Sequence, residues 1–305
     1  MQASLEKSQK LIPEKVIGHK LPPMDWNINQ NETILYALSL GFNEDQLNTK
    51  HFKFTYELND EFSVFPTYAC VIPIKNLIDI FNSCAAVPEF NLMTLLHGEE
   101  WLEILKPLPT SGDLVYEMEF ADLEDKGKGV VFCISVKIKG KSDGTVYSVI
   151  FVNLFVRGLK GEGAKSNGIL RAGQLAKIPK EKPIKEIMLK TYPNQALYYR
   201  LGGNDPNPLH VDPDMSAMGG FEKPILHGLC FFGMTAKAAY ETFCEDKIEN
   251  LLSYKARFTS HVIPGETLHI QFFKGGNNSV IASVSTVERK LQVLQGEFKF
   301  KAAKF

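Results

Sequence analysis

No stretch of this 305-residue chain approaches roughly eighteen consecutive apolar residues, and its longest apolar runs are broken by glycine, proline or charge, so a membrane-spanning helix is not expected. No charge excess exists either. The 34 Lys and Arg stand against 35 Asp and Glu, for a formal charge of −1, which leaves no basic field to drive binding to a polyanion, and nucleic acid is not an expected partner. The five cysteines (Cys70, Cys84, Cys133, Cys230, Cys244) are odd in number, lack Cys-x-x-Cys spacing and sit among apolar residues. They read as small buried hydrophobes in a reducing compartment rather than a disulfide scaffold. The histidines and cysteines show no ligand spacing, so no metal is expected, and no Gly-x-Gly-x-x-Gly follows a strand, so no nucleotide cofactor is expected. The first thirty residues hold no apolar core of the kind a signal peptide needs.

What is present is a chain with 44% hydrophobic residues, enough for one large domain or two of ordinary size. Between residues 157 and 182 the patterning lapses into Gly158, Gly161, Gly163, Gly168 and Gly173 mixed with basic side chains, which reads as a linker. This predicts an N-terminal repeat over 1–157, a linker over 158–182 and a C-terminal repeat over 183–305. Each half carries strand-like runs rich in Val, Ile, Phe and Tyr. They span 114–123, 130–139 and 145–156 in the first, and 254–263, 267–273, 279–287 and 291–301 in the second. Glycine-bearing turns separate them, as in antiparallel meanders.

Gly112-Asp113-Leu114 and Gly265-Glu266-Thr267 both open a strand, 153 residues apart, whereas the triplets Leu96-His97-Gly98 and Leu226-His227-Gly228 lie 130 apart. The second half thus holds 23 additional residues after its triplet. There Leu229, Phe232, Gly233, Ala236, Ala239, Tyr240 and Phe243 recur at helical spacing, with Lys237 and Glu241 falling elsewhere. The expected fold is α+β, a double hot-dog of two antiparallel sheets each wrapping a helix, with the helix shorter or absent in the first repeat. Ile74, Leu77, Ile78 and Phe81 also show helix-like spacing. The space that a shorter helix leaves is filled either by a long apolar ligand or by local loops.

Chemistry concentrates between Tyr199 and His210. Pro206 and Pro208 stiffen this loop and bias Asp205 and Asn207 toward extended geometry. Asp205 and His210, five positions apart, can meet across a turned loop and hold one water molecule. An Asn/Pro turn with a capping Asp is the ordinary alternative. The following segment, 223–230, runs into Gly228 at a helix start, where free N–H groups and the helix dipole suit an oxyanion. His227, just before that helix, reads as a structural donor.

The strings 199–201, 205–213, 224–230, 255–258 and 264–268, with 18–20, 36–38, 95–99, 106–109 and 125–127 in the first half, resemble the (R)-specific enoyl-CoA hydratases of the MaoC-like dehydratases, in particular hydratase 2. The resemblance runs from about Gly18 to the end. It implies hydration of trans-2-enoyl-CoA to (3R)-hydroxyacyl-CoA in fatty acid β-oxidation, with acyl-CoA as substrate, no cofactor beyond the substrate's own coenzyme A, and a homodimer as the assembly. Asp205 and His210 become the catalytic pair, Asn207 orients the reacting groups, Gly228 donates to the oxyanion, and His97, Gly98, Lys126 and Phe258 contact substrate.

The chain departs from the pattern at Asn204, which separates Gly203 from Asp205. The loop either bulges and keeps Asp205 in place or rotates its carboxylate. The alternative that the second case raises is a catalytically impaired structural or acyl-binding protein within a larger assembly. Ala303-Lys304-Phe305 stands where a peroxisomal tripeptide of the Ser-Lys-Leu type would, with only the lysine fitting. The expected compartment is the peroxisome, with mitochondrion and cytoplasm as alternatives.

Overall fold

A computed structural model describes residues 6–302; Ala303-Lys304-Phe305 lies outside the described residues. The strands are β1 (Met24–Ile28), β2 (Leu95–Ile104), β3 (Gly112–Asp125), β4 (Gly129–Gly140), β5 (Val146–Arg157), β6 (Lys185–Lys190), β7 (Leu251–Phe258), β8 (Thr267–Lys274), β9 (Ser279–Thr286) and β10 (Gln292–Phe300). The α-helices are α1 (Pro13–Val16), α2 (Gln30–Ser39), α3 (Phe52–Thr55), α4 (Leu77–Ser83), α5 (Ile169–Ala172), α6 (Gln195–Gly202), α7 (Pro213–Met218) and α8 (Gly228–Phe243).

The strands pair antiparallel in the order β1-β3-β4-β5-β2-β7-β10-β9-β8-β6. The order reads the same from either end once β2 is matched with β7, β5 with β10 and α4 with α8, so the double hot-dog is present. Its two sheets are fused, however. Where two sheets were expected there is one of ten strands, because β2 and β7, each an open edge of its own half, pair with one another and satisfy both rows of backbone groups.

The sequence repeat needs a second correction. Gly112 begins β3 and Gly265 precedes the matching β8, but Leu96-His97-Gly98 lies on β2 while Leu226-His227-Gly228 leads into α8. The two triplets are not equivalent, and the 23-residue difference measures nothing structural. The helices themselves differ by less, α4 having 7 residues and α8 having 16.

α8 is buried at 13 of its 16 positions, Lys237 included, which pairs with Glu241 at 3.1 Å. On its sheet side Phe232 stacks on Tyr254 at 4.1 Å, and Tyr254 on Phe298 at 3.9 Å. Elsewhere it meets the first half. Phe54 and Phe65 pack edge-on against Tyr240, and Leu40 and Tyr36 close over Gly233. Each such large side chain contributes about 1.5–3 kcal/mol by burial. In the first half, Leu77, Ile80 and Phe81 of α4 are buried, and Phe81 meets Phe90, Phe120 and Phe132 at 5.0–5.4 Å. The turn Pro66–Val71 is buried throughout. Protein side chains therefore occupy much of the space beside the shorter helix.

Residues 158–182 run across the sheet instead of hanging free. Asp122, fully buried on β3, accepts from Ser166 Oγ (2.6 Å), Asn167 N–H (2.9 Å) and Leu170 N–H (2.9 Å), which fixes α5. Farther on, Lys255 Nζ donates to Ala172 O and Gln295 Nε2 to Ala176 O. The strap crosses the junction of the two halves on the face of β7 opposite that of Tyr254, since alternate residues of a strand point to opposite faces.

α2 and α6 pack so closely that Gln195 Nε2 donates to Ser39 O at 2.6 Å, and a Cβ on Gly202 would lie 2.7 Å from Leu35 O. Helix propensity alone favours alanine over glycine by about 1 kcal/mol. The close backbone approach reverses that preference, so Gly202→Ala is expected to destabilise by about 1–3 kcal/mol in urea unfolding.

Candidate active site

α6 ends in a way that decides where Asp205 stands. Asn204 adopts a left-handed backbone (φ 51°). Asn204 N–H reaches Leu201 O at 3.4 Å, and Asp205 N–H reaches back to Arg200 O at 3.2 Å. These are the two bonds of a Schellman helix stop, with Asn204 as its left-handed residue. Asparagine takes that conformation more readily than other non-glycine residues. The inserted residue is thus absorbed by the helix terminus, and Asp205 is the first residue beyond it.

From there the loop is held by its own side chains. Asp205 Oδ1 accepts Asn207 N–H at 3.0 Å, and Asn207 Oδ1 accepts Leu209 N–H at 3.1 Å, capping the short turn Pro208–His210. Asn207 is itself exposed. His210, largely buried, donates from Nδ1 to Ile225 O at 2.8 Å, an assignment fixed by the carbonyl, which only accepts. Its Nε2 is then the free lone pair. One ligand atom each from Asp205, His210 and His227 falls within 4.8 Å of the others.

His227 reads as structural in the sequence, and the fold sets it directly beside His210. Its ring lies 3.8 Å from that of His210, tilted by 30°, and 5.0 Å from the ring of Tyr199. Burial pushes His227 down to about 2, reinforced by the neighbouring His210. His210 is lowered by burial too, against the upward pull of Asp205. Both rings are therefore neutral near pH 7.

α8 begins directly after His227, whose side chain makes no capping bond to its first N–H groups. A Cβ at Gly228 would sit 3.4 Å from the ring of Phe258, so glycine keeps the approach to that helix start open. Phe258 also meets His97, ring centroids 5.1 Å apart. β2 carries a bulge between His97 and Glu99, at Gly98. Without the bulge, His97 and Glu100 would face opposite sides of the sheet; with it, His97 Nε2 reaches the buried Glu100 Oε2 at 2.9 Å.

Gly98, Lys126 and Phe258 line one cleft of about 280 Å³, together with Glu99, Glu124, Arg171 and Arg257. The fold thus gathers Asp205, His210 and Gly228 at the α6–α8 end, and His97, Gly98 and Lys126 around Phe258. Sequence reading took His227 as structural and did not single out Arg171, Arg257 or the Glu99–Glu100 pair. Of these, only His227 carried a signal, its place next to Gly228.

Residues 26–158 match the MFE-2 hydratase 2 N-terminal domain and residues 174–296 the MaoC like domain. A MaoC-like dehydratase from Phytophthora capsici superposes with a TM-score of 0.84 at 30% identity, covering 96% of this chain and 98% of that one. A double hot-dog protein of Mycobacterium tuberculosis, at TM-score 0.54 and 11% identity, shares the fold alone. The class is that of the MaoC-like double hot-dog dehydratases. A probable enoyl-CoA hydratase 2 of Dictyostelium discoideum is 39% identical over 90% of each chain. The peroxisomal multifunctional enzyme type 2 of Mus musculus is 39% identical over 86% of this chain, which spans 35% of that enzyme. This chain belongs to the enoyl-CoA hydratase 2 family.

Asn204→Gly is expected to keep stability and turnover, whereas Asn204→Val costs about 1–2 kcal/mol at the left-handed position and lowers kcat more than it raises KM, read by unfolding and steady-state kinetics. The folded pKa of His227 lies below its unfolded value of about 6.5, so its contribution is full above about pH 6.5 and is lost as pH falls toward 2. The loss is about 1.4 kcal/mol per pH unit. Unfolding midpoints measured between about pH 7 and 5 should fall accordingly, and His227→Phe should flatten that slope.

Proposed function

We propose that the protein hydrates trans-2-enoyl-CoA to (3R)-hydroxyacyl-CoA in fatty acid β-oxidation. The observation that carries the reading is the convergence of Asp205, His210 with its free Nε2, and the start of α8 at Gly228, within a chain of the hydratase 2 family. The thioester carbonyl accepts from Gly228 N–H. Asp205 and His210 hold a water against C3. Nε2 of His210 takes a proton from that water as the C3–O bond forms, Asp205 steadies the imidazolium, and negative charge moves onto the thioester oxygen. The proton then passes to C2 as the enolate collapses, returning His210 to its neutral state. Asn207 acts as a positioning residue, since it caps the turn that ends at His210.

His97, Gly98, Lys126 and Phe258 contact the coenzyme A arm and thioester along the cleft. The impaired-protein alternative rested on Asn204, which the helix stop accommodates. A peroxisomal location is supported by relatives bearing that name in Mus musculus and Arabidopsis thaliana.

Purified protein given trans-2-decenoyl-CoA is expected to form the (3R) product by chiral analysis. Asp205→Asn and His210→Gln should each reduce kcat by about 10²–10⁴-fold. Absence of hydration by the native protein, or unchanged turnover in both variants, overturns the mechanism. The acid limb of kcat/KM should have its midpoint below the ordinary histidine value of about 6.5, the direction in which burial moves His210.

A further inference from the structure

We infer that Arg171, on the strap between the two halves, binds the ribose 3′-phosphate of coenzyme A and so distinguishes it from thioesters lacking that group. The inference rests on the hydratase reading of the site. Three cations line the cleft, and two already have carboxylate partners. Arg257 reaches Glu99 Oε1 at 2.6 Å from both Nε and Nη2, and Lys126 pairs with Glu124 at 2.5 Å. Arg171 has no carboxylate partner among the described residues, although it lines the same cleft.

Its position is fixed from behind. Asp122 is buried, and its two oxygens are satisfied by Ser166 Oγ and by the N–H groups of Asn167 and Leu170. Asn167 Nδ2 adds a bond to Ala121 O at 2.8 Å. A buried carboxylate held in this way anchors α5 against β3. The arginine is presented on a tethered turn, so little ordering is needed when an anion arrives.

Phe258, whose ring would meet a Cβ on Gly228 at 3.4 Å, lines the cleft together with Gly98 and the three cations, so a thioester carbonyl placed at Gly228 leads the rest of the substrate into a cleft lined by Lys126, Arg171 and Arg257. The nucleotide end of coenzyme A therefore falls among the cations. Of its phosphates, the terminal 3′-monoester concentrates the most charge on one group and offers two oxygens to a guanidinium fork.

The test compares decenoyl thioesters of coenzyme A, of 3′-dephospho-coenzyme A and of pantetheine with the full-length protein. The native KM should be about tenfold higher for the dephospho thioester than for the coenzyme A thioester, as expected for one charge-assisted contact. Arg171→Ala should raise the coenzyme A KM to the dephospho level, leaving kcat and the other two substrates unchanged, and Arg171→Lys should recover part of the difference. An unchanged coenzyme A KM in Arg171→Ala overturns the inference, as does a rise shared by the dephospho or pantetheine thioester. If the native protein turns over no thioester, the hydratase reading fails instead. Calorimetric titration with free coenzyme A and 3′-dephospho-coenzyme A then decides the inference separately, equal affinities overturning it.

Discussion

The pairing of β2 with β7 is the constraint on which the rest depends. Each strand ends its half of the sheet, and an unpaired edge would expose a row of backbone donors and acceptors. Joining the two edges satisfies both and fixes one register, with Glu99 opposite Arg257 and Trp101 opposite Lys255. Side chains reinforce that register on the strap-facing side. Arg257 binds Glu99, Lys255 stands 3.9 Å over the Trp101 ring, and Asn153 donates to Glu99. On the opposite side Tyr254 enters the stack that carries α8. The register thereby sets Gly98 and His97 of one half beside Phe258 and Gly228 of the other, so neither half holds the cleft alone.

That dependence explains what could and could not be read from the sequence. The meander strands announce themselves by β-branched and aromatic residues between glycine turns, and α8 by its periodicity. The loop from Tyr199 to His210 stands out through Pro206 and Pro208. Local chemistry suffices for each. The seam could not be read, because Glu99 and Arg257 are 158 residues apart and neither neighbourhood names the other. The Leu-His-Gly triplets misled for the same reason, since three residues are too few to distinguish a bulged strand from a helix start. The strap looked like a linker because glycine and charge dominate it, while its anchor, Asp122, hides within an ordinary strand.

Asn204 shows how a single dihedral resolves an ambiguity that spacing leaves open. A residue added to a loop displaces its downstream neighbours unless some turn takes it up. Here the helix terminus takes it up, because a left-handed residue is the one a Schellman stop uses and asparagine supplies it at low cost. The consequence reaches beyond the cap. Asp205 N–H is tied to Arg200 O, so the carboxylate is positioned by α6, and α6 in turn is locked to α2 of the first half through Gln195 and Gly202.

The same economy governs the two imidazoles. Burial and charge act on the His210 imidazole in opposite directions. Burial lowers it, and the carboxylate of Asp205 raises it. The neighbouring His227 ring stands 3.8 Å from that of His210. Were it charged, it would repel a proton on His210; being held neutral far below the physiological range, it offers only a flat ring against which His210 is stacked. Neither of its ring nitrogens makes a well-formed hydrogen bond, nor does the hydroxyl of Tyr199 behind it. Buried unpaired polar groups cost roughly 1–3 kcal/mol each, and the His227 ring and the Tyr199 hydroxyl are among them. The packing of α8 offsets that cost, and the stacked pair joins the loop bearing His210 to the helix start bearing Gly228.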